Sequence, residues 1–255
     1  MKMPPASVVS PSLLASIKKH PHLPQHTWYF ITVTTLCMLN RPEEIPAVYK
    51  YALECDYETL DLKLLLEKQL KISRRMRESL IKASAVGGIP KAINALCALK
   101  EVTPLELRDD PAEFSPTDRR GDIYSIPSAL IIQRGQDFFS KVYGKVAKRI
   151  MGQMDYSGTE DLGLIARLIY GHLLSNTTVL SPAETSFVLI AGLIPQDVNP
   201  QLKGHLRGAL NGGASVEEVR AVRETVIKIC EASGMTRLAD GNLSGWGWKE
   251  DIANI

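Results

Sequence analysis

Between Val216 and Gly234 the apolar residues Val219, Val222, Val226, Ile229 and Cys230 return every three or four positions. Arg220, Arg223, Glu224, Lys228 and Glu231 fill the opposite face. This is the pattern of a helix that buries one stripe. Ser215-Val216-Glu217-Glu218 places a serine three residues before a glutamate, the capping-box spacing that starts a helix, and Ser233-Gly234 supplies the stop. Ser181-Pro182-Ala183-Glu184 repeats the start signal, with proline at the first helical position. The same spacing predicts helices over residues 12–19, 27–39, 42–54, 57–86, 91–100, 128–154 and 159–175. The one over 57–86 is long enough to break in two. Asn211-Gly212 and Asp240-Gly241 follow helical patterns rather than sitting between alternating runs, so no hairpin is expected. Only the β-branched run Ile31-Thr32-Val33-Thr34-Thr35 could read as a strand.

An internal repeat decides that run. Met76-Arg77-Glu78-Ser79-Leu80-Ile81-Lys82 aligns without a gap on Val222-Arg223-Glu224-Thr225-Val226-Ile227-Lys228, an offset of 146 residues. Upstream, Val48–Leu53 aligns on His205–Leu210 at an offset of 157, so the first copy carries about eleven extra residues within Glu54–Ser73. At that offset Phe30–Leu36 stands opposite Phe187–Leu193, a run behind a capping box, and the threonine-rich stretch is assigned to helix. Two copies of one helical unit give an N-terminal repeat over 1–102, a linker over 103–127 and a C-terminal repeat over 128–255. Pro104, Pro111, Pro116 and Pro127, with Asp109-Asp110 and Asp118-Arg119-Arg120-Gly121-Asp122, suit the linker to an exposed connector.

The chain has 255 residues, 45% of them hydrophobic, enough for a substantial core and too apolar for disorder. Thirty Lys and Arg against 28 Asp and Glu leave a net charge of +2, which gives no reason to expect nucleic acid or an anionic membrane as partner. Arg74-Arg75-Met76-Arg77 and Arg119-Arg120 read as solvated faces. The most apolar run, Trp28–Leu39, has twelve residues including three threonines, against the ~20 of a membrane span. The start, Met1-Lys2-Met3-Pro4-Pro5, lacks a secretory signal, while the first acidic residue is Glu43. An acid-free beginning with Lys2, Lys18 and Lys19 is weakly like a mitochondrial transit segment, and Ala253-Asn254-Ile255 is not a peroxisomal tripeptide. The expected location is therefore intracellular, cytoplasmic first, with mitochondrial import as the alternative.

Leu180-Ser181-Pro182-Ala183-Glu184, then Gln201–Ala214 around His205 and Gly212-Gly213, then Glu217-Glu218-Val219, resembles the carboxymuconolactone decarboxylase family, which includes the AhpD-like proteins. The likeness covers about residues 169–234, with the first copy as a diverged second example. It implies an all-α fold of two tandem AhpD-like repeats and a homo-oligomer, a dimer or trimer. Peroxidase members of the family carry Cys-x-x-Cys one turn before the histidine. Here those positions hold Val198 and Gln201, and in the first copy Arg41 and Glu44. The cysteines are Cys37, Cys55, Cys97 and Cys230, so a dithiol on one helix is absent; as isolated residues they read as small buried hydrophobes.

His205 matches the histidine of the family motif and borders the apolar stripe of Leu202, Leu206 and Ala209; it reads either as a pocket imidazole or as a partly buried structural one. The first copy has Val48 there. Glu184 is the second candidate, although the capping box alone accounts for it, and the family's proton-relaying glutamate aligns at Ser186. Tyr170 and His172 could donate hydrogen bonds into the same pocket or simply end a packed helix. His20, His22 and His26 form a tempting metal string, but Pro21 and Pro24 break the helix that would align them, so no metal is expected. Trp246-Gly247-Trp248 suits an aromatic anchor. The resemblance implies cofactor-free acid/base chemistry by His205 on a small organic acid or lactone. A non-catalytic oligomeric scaffold or binder, and an AhpD-like antioxidant, are the alternatives.

Overall fold

A computed structural model describes residues 7–55, 61–109, 115–238 and 244–255. Met1–Pro5, Tyr57, Asp110, Pro111 and Asp240-Gly241, on which parts of the sequence reading fall, lie outside them. The described chain is all-α apart from one short strand pair. Its helices are α1 (Pro11–Lys18), α2 (Trp28–Met38), α3 (Ile45–Glu54), α4 (Leu62–Gly87), α5 (Ile89–Val102), α6 (Arg119–Tyr124), α7 (Ser128–Tyr143), α8 (Ala147–Asp155), α9 (Asp161–Leu168), α10 (Pro182–Leu193), α11 (Asn199–Asn211) and α12 (Val216–Ala232).

The core is built around α2 and α10. All 11 residues of α2 are buried, and it packs against α4, α10 and α12. Two of its three threonine hydroxyls are satisfied within the helix: Thr32 Oγ1 donates to the Trp28 carbonyl at 2.7 Å and Thr35 Oγ1 to the Ile31 carbonyl at 2.9 Å, while Thr34 Oγ1 is buried without a partner. The β-branched run is therefore helical, because tertiary burial outweighs its weak strand preference. The predicted capping boxes form at Ser181–Glu184 and Ser215–Glu218.

Other boundaries differ from the sequence pattern. The stretch 128–154 is two helices, because Gly144 takes a left-handed φ of 54° that ends α7 before a 3-10 turn leads into α8. The stretch 159–175 is α9 continued by a π-helical turn, Ile169–Leu174. The connector is partly packed: Leu107 and Asp122 are buried, and Arg119 makes a two-pronged pair with Glu78 of α4 at 2.8 and 2.6 Å. Arg75 is buried too, so neither basic cluster is wholly a solvated face. At the C-terminal end β1 (Thr236–Arg237) pairs in parallel with β2 (Gly247–Trp248). Trp248 is the anchor, its indole donating to the Ile194 carbonyl at 2.8 Å, whereas Trp246 is half exposed. The acid-free stretch contributes Val8, Val9, Leu14, Ile17 and the apolar residues of α2 to the main core. Its composition thus serves the fold. Among the described residues no helix is long and apolar enough to cross a membrane.

Candidate functional site

His205 sits in the middle of α11, and its surroundings follow from two glycines on that helix. A Cβ at Gly204 would stand 2.8 Å from Tyr143 Cε1, and one at Gly208 would stand 2.6 Å from Val142 Cγ1. Small residues one turn apart thus let the end of α7 lie directly on α11. That approach puts the Tyr143 hydroxyl 3.3 Å from His205 Nε2, with the two rings edge to face. The Tyr170 hydroxyl, from the π-helical turn, donates to the Tyr143 hydroxyl at 3.3 Å. Phe139 lies against both tyrosines, and Phe138 against Tyr170.

The cluster is neutral. His205 is only 4% exposed, and burial alone lowers its pKa from 6.5 to about 4. Its imidazole is uncharged near neutral pH. Burial likewise raises the Tyr143 and Tyr170 phenols above their ordinary value, so both stay protonated. His205 Nδ1 is buried without a hydrogen-bond partner, and so is Ser186 Oγ, on the adjoining α10. The serine oxygen lies 3.4 Å from the point where a Gly208 Cβ would stand, one turn beyond His205. Buried polar atoms left unpaired are uncommon in folded proteins, and two on neighbouring helix faces mark this place out.

The other candidates go elsewhere. Glu184 closes its capping box and forms a partly buried ion pair with Arg75, which also donates to the His26 carbonyl at 3.1 Å. Burial pushes the Glu184 carboxyl up, but Arg75 and the Ser181 hydrogen bonds outweigh it and hold the pKa below the ordinary value. His172 has a buried, unpartnered Nδ1, and its carbonyl accepts from Arg119 at 3.4 Å. The structure thus brings Tyr170 to His205 through Tyr143, and leaves Glu184 in the seam between α4 and α10.

Sequence reasoning missed Tyr143 and Lys82. The signal for Tyr143 was the glycine after it, which ends α7 beside α11. Lys82 is fully buried on α4, donating to Thr185 Oγ1 at 2.7 Å and to the Leu174 carbonyl at 3.0 Å. Burial lowers its pKa to about 7, against the opposing pull of Glu78. The four cysteines are free. Cys37 and Cys230 are buried, and desolvation raises both thiols, Cys37 to about 12, so neither is a ready thiolate. Among the described residues no three His, Cys, Asp or Glu side chains are grouped to hold a metal.

No family model matches the chain. It is 34% identical over 207 residues to Peroxisomal protein 2 of Schizosaccharomyces pombe, covering 81% of this chain and 87% of that protein. It is 32% identical over 261 residues to Peroxisomal protein 2 of Saccharomyces cerevisiae, covering 85% and 92%. These names correct two expectations. They point away from decarboxylase-like chemistry on an organic acid or lactone, and they conflict with a cytoplasmic or mitochondrial location. On identity and coverage, the chain belongs to the family of these two yeast proteins, the Peroxisomal protein 2 family.

Proposed function

We propose that this chain is a peroxisomal protein that works as a homo-oligomer, with Tyr143, His205 and Tyr170 as its neutral hydrogen-bonding centre. The observation that carries the location is the pair of relatives, both named peroxisomal and both matched over more than four-fifths of this chain. The test is microscopy in budding yeast, with a fluorescent tag at one end of the chain and then at the other. Co-localisation with a peroxisomal marker is expected; a diffuse cytosolic or a mitochondrial signal with both tagged chains overturns the proposal.

The two-copy plan of the AhpD-like resemblance has support in the packing. An offset of 157 carries Pro42–Glu54, a 3-10 turn plus α3, onto the full length of α11, Asn199–Asn211. The same offset sets α2 opposite α10. The third helix of each copy packs on the first helix of the other, α4 on α10 and α12 on α2. Each copy therefore completes the other's core, and the two fold as one body. Self-association is supported by α9, where Leu162, Ile165 and Leu168 are each about half exposed on one face. A second copy, dimeric or trimeric, is the occupant that a repeat family with shared interfaces supplies.

A further inference from the structure

A helix leaves its last four carbonyls without partners of its own. At the end of the π-helical turn all four are taken up by cations from three other helices. Arg134 of α7 donates to the Gly171 carbonyl at 3.0 Å. Arg119 of α6 reaches two, His172 at 3.4 Å and Leu173 at 3.3 Å. Lys82 of α4 takes the fourth, Leu174, at 3.0 Å. Positive charge is favourable at the negative end of a helix, and here the cations are themselves held. Asp122 grips both prongs of the Arg134 guanidinium at 3.0 and 2.6 Å. Glu78 does the same for Arg119, and Lys82 lies 3.9 Å from that carboxylate. Arg134 Nε also donates to Ser175 Oγ at 3.0 Å, and this hydroxyl donates to the Gly171 carbonyl at 2.7 Å.

The turn also lies directly on α7. A Cβ at Gly135 would stand 2.5 Å from the Gly171 backbone nitrogen, and one at Gly171 would stand 3.0 Å from the Ile131 carbonyl oxygen. Tyr170, next to Gly171, is thus fixed from the side by α7 and from the end by the cations. Its hydroxyl is the outer member of the chain that runs through Tyr143 to His205. A π-helical turn holds one residue more than an α-helical one, so a return to α geometry would rotate the residues after it by about 100° relative to α9. Resting on the reading of Tyr143, His205 and Tyr170 as one neutral centre, we propose that Arg119, Arg134 and Lys82 are its positioning residues: they lock the π-helical turn and so set the place of the Tyr170 hydroxyl. The connector then acts on the site from outside it, through Arg119 and Asp122 of α6.

The test follows the histidine ring resonances of the full chain by NMR as pH is lowered from 7.5 to 5. The chain has five histidines, and the His205 signal is the one missing from His205→Asn. The variant is Arg134→Gln/Asp122→Asn, which frees the turn without leaving a buried charge unpaired. Loosening the turn lets water reach the imidazole and removes part of the cost of charging it. At pH 5 about one-tenth of the wild-type His205 rings should carry a proton, against about half in the variant. Should the variant fail to fold, as read by helical circular dichroism, Arg119→Lys takes its place with the same expected direction. It keeps a charge beside Glu78 but loses the fork that spans two carbonyls. An unchanged His205 profile in a folded variant would overturn the proposal and leave the neutral centre standing. An equal change in Arg75→Met, which weakens the seam between α4 and α10 without touching the turn, would overturn it as well. A wild-type His205 that is half protonated above pH 6 would remove the neutral centre itself, and this inference with it.

Discussion

The Tyr143 hydroxyl and His205 Nε2 meet at 3.3 Å although 62 residues separate them, because Gly204 lets the tyrosine ring lie on α11. The imidazole is neutral in the folded chain, with a pKa of about 4 against 6.5 when unperturbed. As pH falls below 6.5 the unfolded chain takes up this proton first. Stability is therefore full above that pH and is lost progressively down to about 4, by about 3 kcal/mol from this group. Urea denaturation at pH 7 and at pH 4.5 checks this. In His205→Asn the loss between the two pH values is expected to shrink by most of that amount; an unchanged loss would show that His205 is not buried in its neutral form.

Arg75 and Glu184 join α4 to the first turn of α10. Arg75→Met leaves the Glu184 carboxylate and the His26 carbonyl without this donor. Because Glu184 retains some exposure, a loss of about 2 kcal/mol is expected, below that of a fully buried pair. Ser181→Ala removes the cap alone and should cost about 1 kcal/mol. No measurable loss for Arg75→Met in denaturant melts would mean that the ion pair adds nothing beyond the cap.

Self-association through α9 predicts a change of mass. Sedimentation of the wild-type chain should give a dimer or trimer, and Leu162→Lys/Ile165→Lys should give a monomer with the same helical content. A wild-type monomer at micromolar concentration would rule the α9 contact out.

Thiol reactivity follows exposure. Cys97 is exposed and Cys55 half-buried, while Cys37 and Cys230 are enclosed with raised pKa values. A thiol reagent applied to the folded chain is expected to label Cys97 first and Cys55 second, with Cys37 and Cys230 reacting only after denaturation. Peptide mapping at timed intervals reads that order; early modification of Cys37 would contradict the packing around α2.

The all-α class was legible because serine caps and three-to-four spacing are local signals, and both capping boxes form where they were read. α6 was not: Arg119–Tyr124 is short, mostly polar and centred on a glycine, so nothing in its own pattern argues for a helix. The π-helical turn at Ile169–Leu174 was hidden for the opposite reason, since it continues the apolar periodicity of α9 and differs only in its hydrogen bonding. At the candidate site, His205 and Tyr170 could be singled out as residue types. Their meeting through Tyr143 depends on a close approach of helices that no local pattern encodes.

The burial of α2 on every side has a consequence for the order in which the protein can be made. Emerging from a ribosome, Trp28–Met38 would present an apolar surface all round, and its partners α4, α10 and α12 extend to Ala232. Neither half of the chain can shelter it alone. The native core closes only after nearly the whole polypeptide has been synthesised, and until then the nascent chain is a client for holding chaperones.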